Sequence, residues 1–128
     1  MQRQARALRA SGLDVAPLPF DVTDHKAAKG AFAKTKGIDI LVNNVGVRDR
    51  RGLEALDVAD FDRLLQSDLS AAYGMCRLAA PAMRARGIGR IINITSIIGE
   101  LARPNDPAYI AAKAGLGGLT RALAAELG

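Results

Sequence analysis

The sequence predicts an α/β fold in one domain, residues 1–128, with a parallel sheet covered by helices on both faces. Strand-length apolar runs alternate with longer helical segments, in the order helix–strand–helix–strand–helix–strand–helix. Residues 38–43 form a near-continuous apolar run, the pattern of a parallel strand covered on both sides. The joints carry turn and cap residues, Asp21-Val22-Thr23-Asp24 and Asn105-Asp106-Pro107.

The opening residues 1–11 are Arg-rich and acid-free, as in an organelle-targeting leader. They also read as an amphipathic helix through Ala5 and Leu8 that stops at Gly12, and the helix is the reading adopted because a strand-like segment follows with no spacer. That segment, 14–20, is expected to be a short strand interrupted by Pro17 and Pro19. A helix over 24–35 follows, then the strand 38–43. Gly46 to Glu54 form a polar loop bearing Arg48, Arg50 and Arg51. A long helix is expected over 58–86, kinked or divided at Pro81. A third strand over 90–95 leads through a loop to Asn105, Asp106 as N-cap and Pro107 as first helical residue of a helix over 107–127. The sequence has no internal repeats, low-complexity tracts or linkers.

With 49% hydrophobic and 24% charged residues, the chain is a folding one rather than a disordered one. Its single cysteine, Cys76, has no internal disulfide partner and lies among Met75, Leu78 and Ala79, which points to a buried, inert thiol. No stretch reaches membrane-spanning length, and a cytoplasmic setting is expected. The net charge of +5 is spread along the chain and only 4% of residues are aromatic, which argues against a nucleic-acid module and fits attraction to a small anion.

Chemistry concentrates near the end of the chain. Ser96 stands where the strand Arg90-Ile91-Ile92-Asn93-Ile94-Thr95 runs out. Tyr109 and Lys113 follow four apart on the next helix, so both project from one face. An ammonium beside a phenol stabilises phenolate. With a hydroxyl opposite, the set is a device for moving a proton at a carbonyl or an alcohol. Considered alone, the four-residue spacing also suits a surface helix with a solvated lysine.

Together these motifs resemble the short-chain dehydrogenase/reductase family over essentially the whole chain. Asn43-Asn44-Val45-Gly46 is similar to the family's Asn-Asn-Ala-Gly after a strand, with Val in the Ala place. Asp21-Val22 resembles the Asp-Val that touches the adenine ring. Ser96, Tyr109 and Lys113 match the catalytic set, within Arg-Ile-Ile-Asn-Ile-Thr-Ser and Ala-Ala-Lys-Ala-Gly. The loop through Arg51 most resembles the gluconate 5-dehydrogenase-like branch. The resemblance implies a Rossmann-like, doubly wound sheet and reversible hydride transfer between NAD or NADP and a small carbonyl or alcohol, with no metal. It implies a homotetramer built through the helices 58–86 and 107–127.

On that basis Tyr109 is the expected acid/base, Lys113 its partner and a ribose ligand, and Ser96 the donor to the substrate oxygen. Asp21, Val22, Asn43, Val45 and Gly46, with Tyr109 and Lys113, are expected to border the cofactor. Asp68, in Gln66-Ser67-Asp68-Leu69, stands where the family has a catalytic Asn. An ionised Asp only accepts hydrogen bonds where Asn also donates. Arg48, Arg50 and Arg51 are expected to meet an anionic substrate such as a sugar acid. The sequence has no Gly-rich strand-to-helix turn near its start, and Gly115 to Gly118 lie inside the last helix, where packing is their expected role. The first βαβ unit and the C-terminal strands of the family are therefore expected to be lacking. The alternative is a truncated, non-catalytic remnant that associates with a full-length relative through its long helices.

Overall fold

The computed structural model of the protein describes residues 1–35 and 37–128. Two strands, β1 (Ile40–Asn43) and β2 (Arg90–Asn93), pair in parallel, with Ile40 opposite Arg90 and Asn43 opposite Asn93. Parallel neighbours need a long crossover, and helices supply it: α3 (Val58–Leu65), a π turn (Gln66–Ser70) and α4 (Ala71–Arg86). Before β1 lie α1 (Gln2–Ala10) and α2 (His25–Phe32). After β2 a short 3₁₀ turn (Ile97–Gly99) leads to α5 (Pro107–Leu127). The α/β class holds.

Local chemistry fixes the boundaries. The Asp24 carboxylate accepts from the Lys26 and Ala27 amides at the start of α2, and the Asp57 carboxylate accepts from the Asp60 amide at the start of α3. α4 stops at Gly87, whose φ of 67° is left-handed and costs a glycine little. The core lies where α3, α4 and α5 meet the sheet. Leu64 and Leu116 are almost fully enclosed, among Ala71, Ala79, Ala108 and Ala112. Small alanines at that contact let the helix axes approach closely enough for the two leucines to fill the remaining space.

Three expectations change. Residues 14–20 are not strand: Pro17 and Pro19 remove two amide donors, and among the described residues no strand lies hydrogen-bonded beside the segment. Leu18 and Phe20 instead line an open cavity of about 310 Å³ whose other wall includes Ile40 and Val42. β1 is correspondingly less covered than its apolar run predicts, with Ile40 61% and Val42 52% exposed. The long helix is interrupted at the π turn and not at Pro81, which stays inside α4. Pro81 and Arg77 both lie on the exposed side, so water can satisfy the carbonyl that a proline at Pro81 cannot.

Exposed apolar residues on an open strand edge favour self-association. At rising concentration the chain is expected to scatter light, and Val42→Lys to lower that scattering; equal scattering by parent and variant would place the sticky surface elsewhere. Among the described residues no helix is long and apolar enough to cross a membrane.

Candidate active site

The site is built around a buried ammonium. Lys113, on α5, is only 4% exposed, and its Nζ donates to the carbonyls of Val45 (3.2 Å) and Ile94 (3.0 Å). Those carbonyls belong to the residues just beyond β1 and β2, so one side chain ties the carboxyl ends of both strands to the helix. Charge-assisted bonds of this kind offset much of the desolvation a buried lysine suffers.

Tyr109 sits one turn earlier on α5, with its ring centroid 5.7 Å from Lys113 Nζ and 5.0 Å from the Arg48 guanidinium carbon. The ring is therefore bordered by two cations. Ser96 follows the end of β2 in an extended conformation, and its Oγ accepts from the Ile98 amide (3.3 Å), opening the 3₁₀ turn. With that lone pair engaged, the O–H remains as a donor. The turn is seated on α5 so tightly that a Cβ on Gly99 would lie 2.9 Å from the Ala114 amide nitrogen. Ser96 is thereby carried by a segment fixed to the same helix turn as Lys113.

Asp68 enters from the π turn. Its carboxylate, 2% exposed, accepts from the Val47 amide (2.8 and 3.1 Å) and from the Ser67 hydroxyl. The turn is closed by the Ala71 amide donating to the Gln66 carbonyl, an i to i+5 bond that widens the helix where Asp68 turns inward. Val47 follows Gly46 directly, so Asp68 holds the loop that leaves β1. A side chain on Gly46 would begin 3.5 Å from Lys113 Nζ and 3.7 Å from Asp68 Oδ2. These are ordinary contacts, so the protein itself does not require a glycine there.

Of the expected cofactor residues, Val22, Asn43 and Val45 line the 310 Å³ cavity together with Asn44 and Asp68. Asp21 is exposed and closes a local turn, accepting from the hydroxyl and amide of Thr23 (2.7 and 2.9 Å), which hold its carboxyl below the ordinary range. The Asn43 side chain is engaged within the fold. Its Nδ2 donates to Asn93 Oδ1 (2.8 Å) and Cys76 Sγ (3.5 Å), while Asn93 donates to Thr120 Oγ1 (2.9 Å). This ladder joins α4, both strands and α5. The partners Asn93 and Thr120 carry no sequence signal, because they lie 27 residues apart. Cys76 is buried as expected, and its burial pushes the thiol up.

The arginine loop differs most from expectation. Arg48 is paired to Asp106, and Arg51 to Asp49 and Asp60. Two of the three guanidinium groups thus already have carboxylate partners. Arg51 holds the Asp49 carboxyl at about 2 against an ordinary 3.8. A depressed value means that this contribution is present above the ordinary pKa and lost as pH falls from about 4 to about 2. The Arg51 amide, which donates to Asp49 Oδ1 (3.0 Å), is expected to report a titration midpoint near the lower limit by NMR. A midpoint near 4 would mean that the pairing is absent in solution.

Comparison with known proteins identifies the family to which this fold belongs. The family profile of the short chain dehydrogenases matches residues 1–128, and the chain belongs to the short-chain dehydrogenase/reductase family. It is 43% identical over 122 residues to trans-4-hydroxycyclohexanecarboxylate dehydrogenase of Sinomonas cyclohexanicum, covering 91% of this chain and 47% of that one. To gluconate 5-dehydrogenase of Gluconobacter oxydans it is 37% identical over 123 residues, covering 93% and 48%. The crystal structure of a candidate gluconate dehydrogenase from Agrobacterium tumefaciens superposes with a TM-score of 0.95 at 39% identity, over 98% of this chain and 51% of that one. The chain spans about half the length of the curated relatives it matches.

Proposed function

We propose that the protein is an NAD- or NADP-dependent oxidoreductase that interconverts a secondary alcohol and its carbonyl, using Tyr109, Lys113 and Ser96. The observation that carries the reading is the buried Lys113 ammonium, fixed between two strand ends with the Tyr109 ring beside it. When bound, a nicotinamide supplies or accepts the hydride. Tyr109 gives its proton to the carbonyl oxygen in reduction and takes it back in oxidation. Lys113 stabilises the phenolate left behind, and the Ser96 hydroxyl donates to the oxygen on which charge develops. Asp68 holds the loop at Val47 and keeps a negative charge near Lys113. Val22, Val45 and Gly46 border the cleft for the cofactor, with Asp21 beside Val22 in sequence and Asn43 bracing the strand ends.

Gly46 offers a direct test. Its Cβ position is free of protein clashes, so Gly46→Ala is expected to change stability by no more than about 0.5 kcal/mol. The added methyl should instead crowd the cofactor and raise the Kd for NADH or NADPH at least tenfold, measured by nicotinamide fluorescence. Parent-like affinity in the variant would remove Gly46 from the cofactor site, and no saturable binding of either cofactor by the parent would sink the oxidoreductase reading.

The relatives named above act on hydroxylated carboxylates by name, which supports a small anionic substrate here. A tetramer formed through the helical segments 58–86 and 107–127 in the intact protein, in the cytoplasm, completes the reading. The second reading is a non-catalytic chain that associates with a longer relative through its long helices. Cofactor titration separates the two.

A further inference from the structure

We propose that Arg48 is a positioning residue for Tyr109: locked to Asp106 at the first turn of α5, it holds the phenol ring in place and sets the rate of the proton transfer. The inference deepens the oxidoreductase reading and rests on it for its kinetic part. It departs from the sequence expectation that Arg48 binds the substrate.

Four observations carry it. Arg48 Nε donates to both Asp106 oxygens (3.1 and 2.9 Å), and Nη2 joins Oδ2, giving a fork that a lysine cannot reproduce. Asp106 is only 1% exposed, so its carboxylate is withheld from solvent and from any substrate. Asp106 also occupies the N-cap position of α5, yet its side chain makes no cap bond to the helix and is given wholly to Arg48. Finally, the guanidinium carbon lies 5.0 Å from the centroid of the Tyr109 ring, on the helix that carries Lys113. The hydrogen bond to the carboxylate strengthens the arginine's hold on its proton, so the group is a permanent cation.

The same loop also passes close to the same helix end at a second place. Asn105 adopts a left-handed φ of 58°, and its Oδ1 lies 2.5 Å from where a side chain on Gly52 would begin. The Arg48–Asp106 pair, with close packing at Gly52, makes the loop after β1 a brace against the start of α5. The brace controls the angle at which Tyr109 meets the cleft, and an acid/base group displaced by about 1 Å can lose about a hundredfold in rate.

The test compares Arg48→Met, Arg48→Lys and the parent, with the Tyr109 ring resonances assigned by their loss in Tyr109→Leu. In the intact protein with its preferred nicotinamide cofactor, each is assayed on a carboxylate-bearing and a neutral secondary alcohol. Arg48→Met is expected to lower kcat at least tenfold on both substrates, with KM changed less than threefold. The Tyr109 ring resonances should shift. Arg48→Lys keeps the charge but not the fork, and should show a smaller loss with a ring shift of the same sign, which tests the idea even if the Met variant does not fold. A KM increase confined to the carboxylate substrate, with kcat kept, would make Arg48 a substrate anchor and overturn the proposal. Unchanged ring resonances would overturn it too. If the parent turns over no alcohol, the oxidoreductase reading fails, and the ring resonances still decide whether Arg48 positions Tyr109.

Discussion

Tyr109→Phe is expected to lower turnover of the intact protein by about 10²–10⁴-fold while sparing cofactor affinity. The ring is what the fold uses: it lies against Arg48 and near Lys113, and phenylalanine keeps that ring. Among the described residues the phenol hydroxyl makes no hydrogen bond, so removing it leaves no partner stranded and the thermal midpoint should stay within a few degrees of the parent's. What disappears is the proton. Residual rate would come from Ser96 and from the binding of the reactants in proximity. Turnover near that of the parent would refute the assignment. Loss of cofactor binding together with turnover would mean that the phenol oxygen serves the cleft and not the chemistry.

The parts of this molecule that were legible in its sequence are those written locally. Asn105, Asp106 and Pro107 signalled the start of a helix, and α5 begins at Pro107 with Asn105 in the left-handed region. The apolar run over 90–95 signalled β2, which ends two residues sooner at Asn93, and the four-residue step from Tyr109 to Lys113 placed both near each other on α5. What stayed hidden depends on partners far along the chain. Residues 14–20 have strand-like composition, but a strand exists only where a neighbour pairs with it, and two prolines weaken the segment's ability to recruit one. The π turn is invisible to a helical period, since one inserted residue shifts the register without altering composition. Asp68 nevertheless marks it, as a carboxylate at an otherwise core-facing position. Arg48 and Asp106 lie 58 residues apart, and an arginine beside a glycine-containing turn reads as free to meet a ligand until its carboxylate is found. Of the glycines in the last helix, Gly115 does serve packing, since a Cβ there would lie 2.9 Å from Leu69 Cδ2. Gly117 faces the ends of the Arg121 and Glu100 side chains, and Gly118 the end of Arg121.

Gly99→Ala is expected to damage both stability and activity. Its Cβ would come within 2.9 Å of the Ala114 amide nitrogen, 3.0 Å of the Lys113 carbonyl carbon and 3.3 Å of Lys113 Cβ. The opposing atoms are mostly helix backbone, which cannot swing aside as the end of a long side chain can. Relief requires that the 97–99 turn lift from α5 or that α5 move. Overpacking of this kind costs about 1–3 kcal/mol, which urea denaturation of the parent and variant would resolve. The damage also reaches the chemistry. Ser96 is held by the Ile98 amide inside the turn that must lift, and Lys113 is one of the residues being pushed. Activity should therefore fall further than stability alone predicts, in contrast to Gly46→Ala, where stability persists and cofactor affinity is lost. A Gly99→Ala protein with parent-like stability and rate would mean that the turn bearing Ser96 is not seated on α5, and the Ser96–Tyr109–Lys113 arrangement would lose its structural basis.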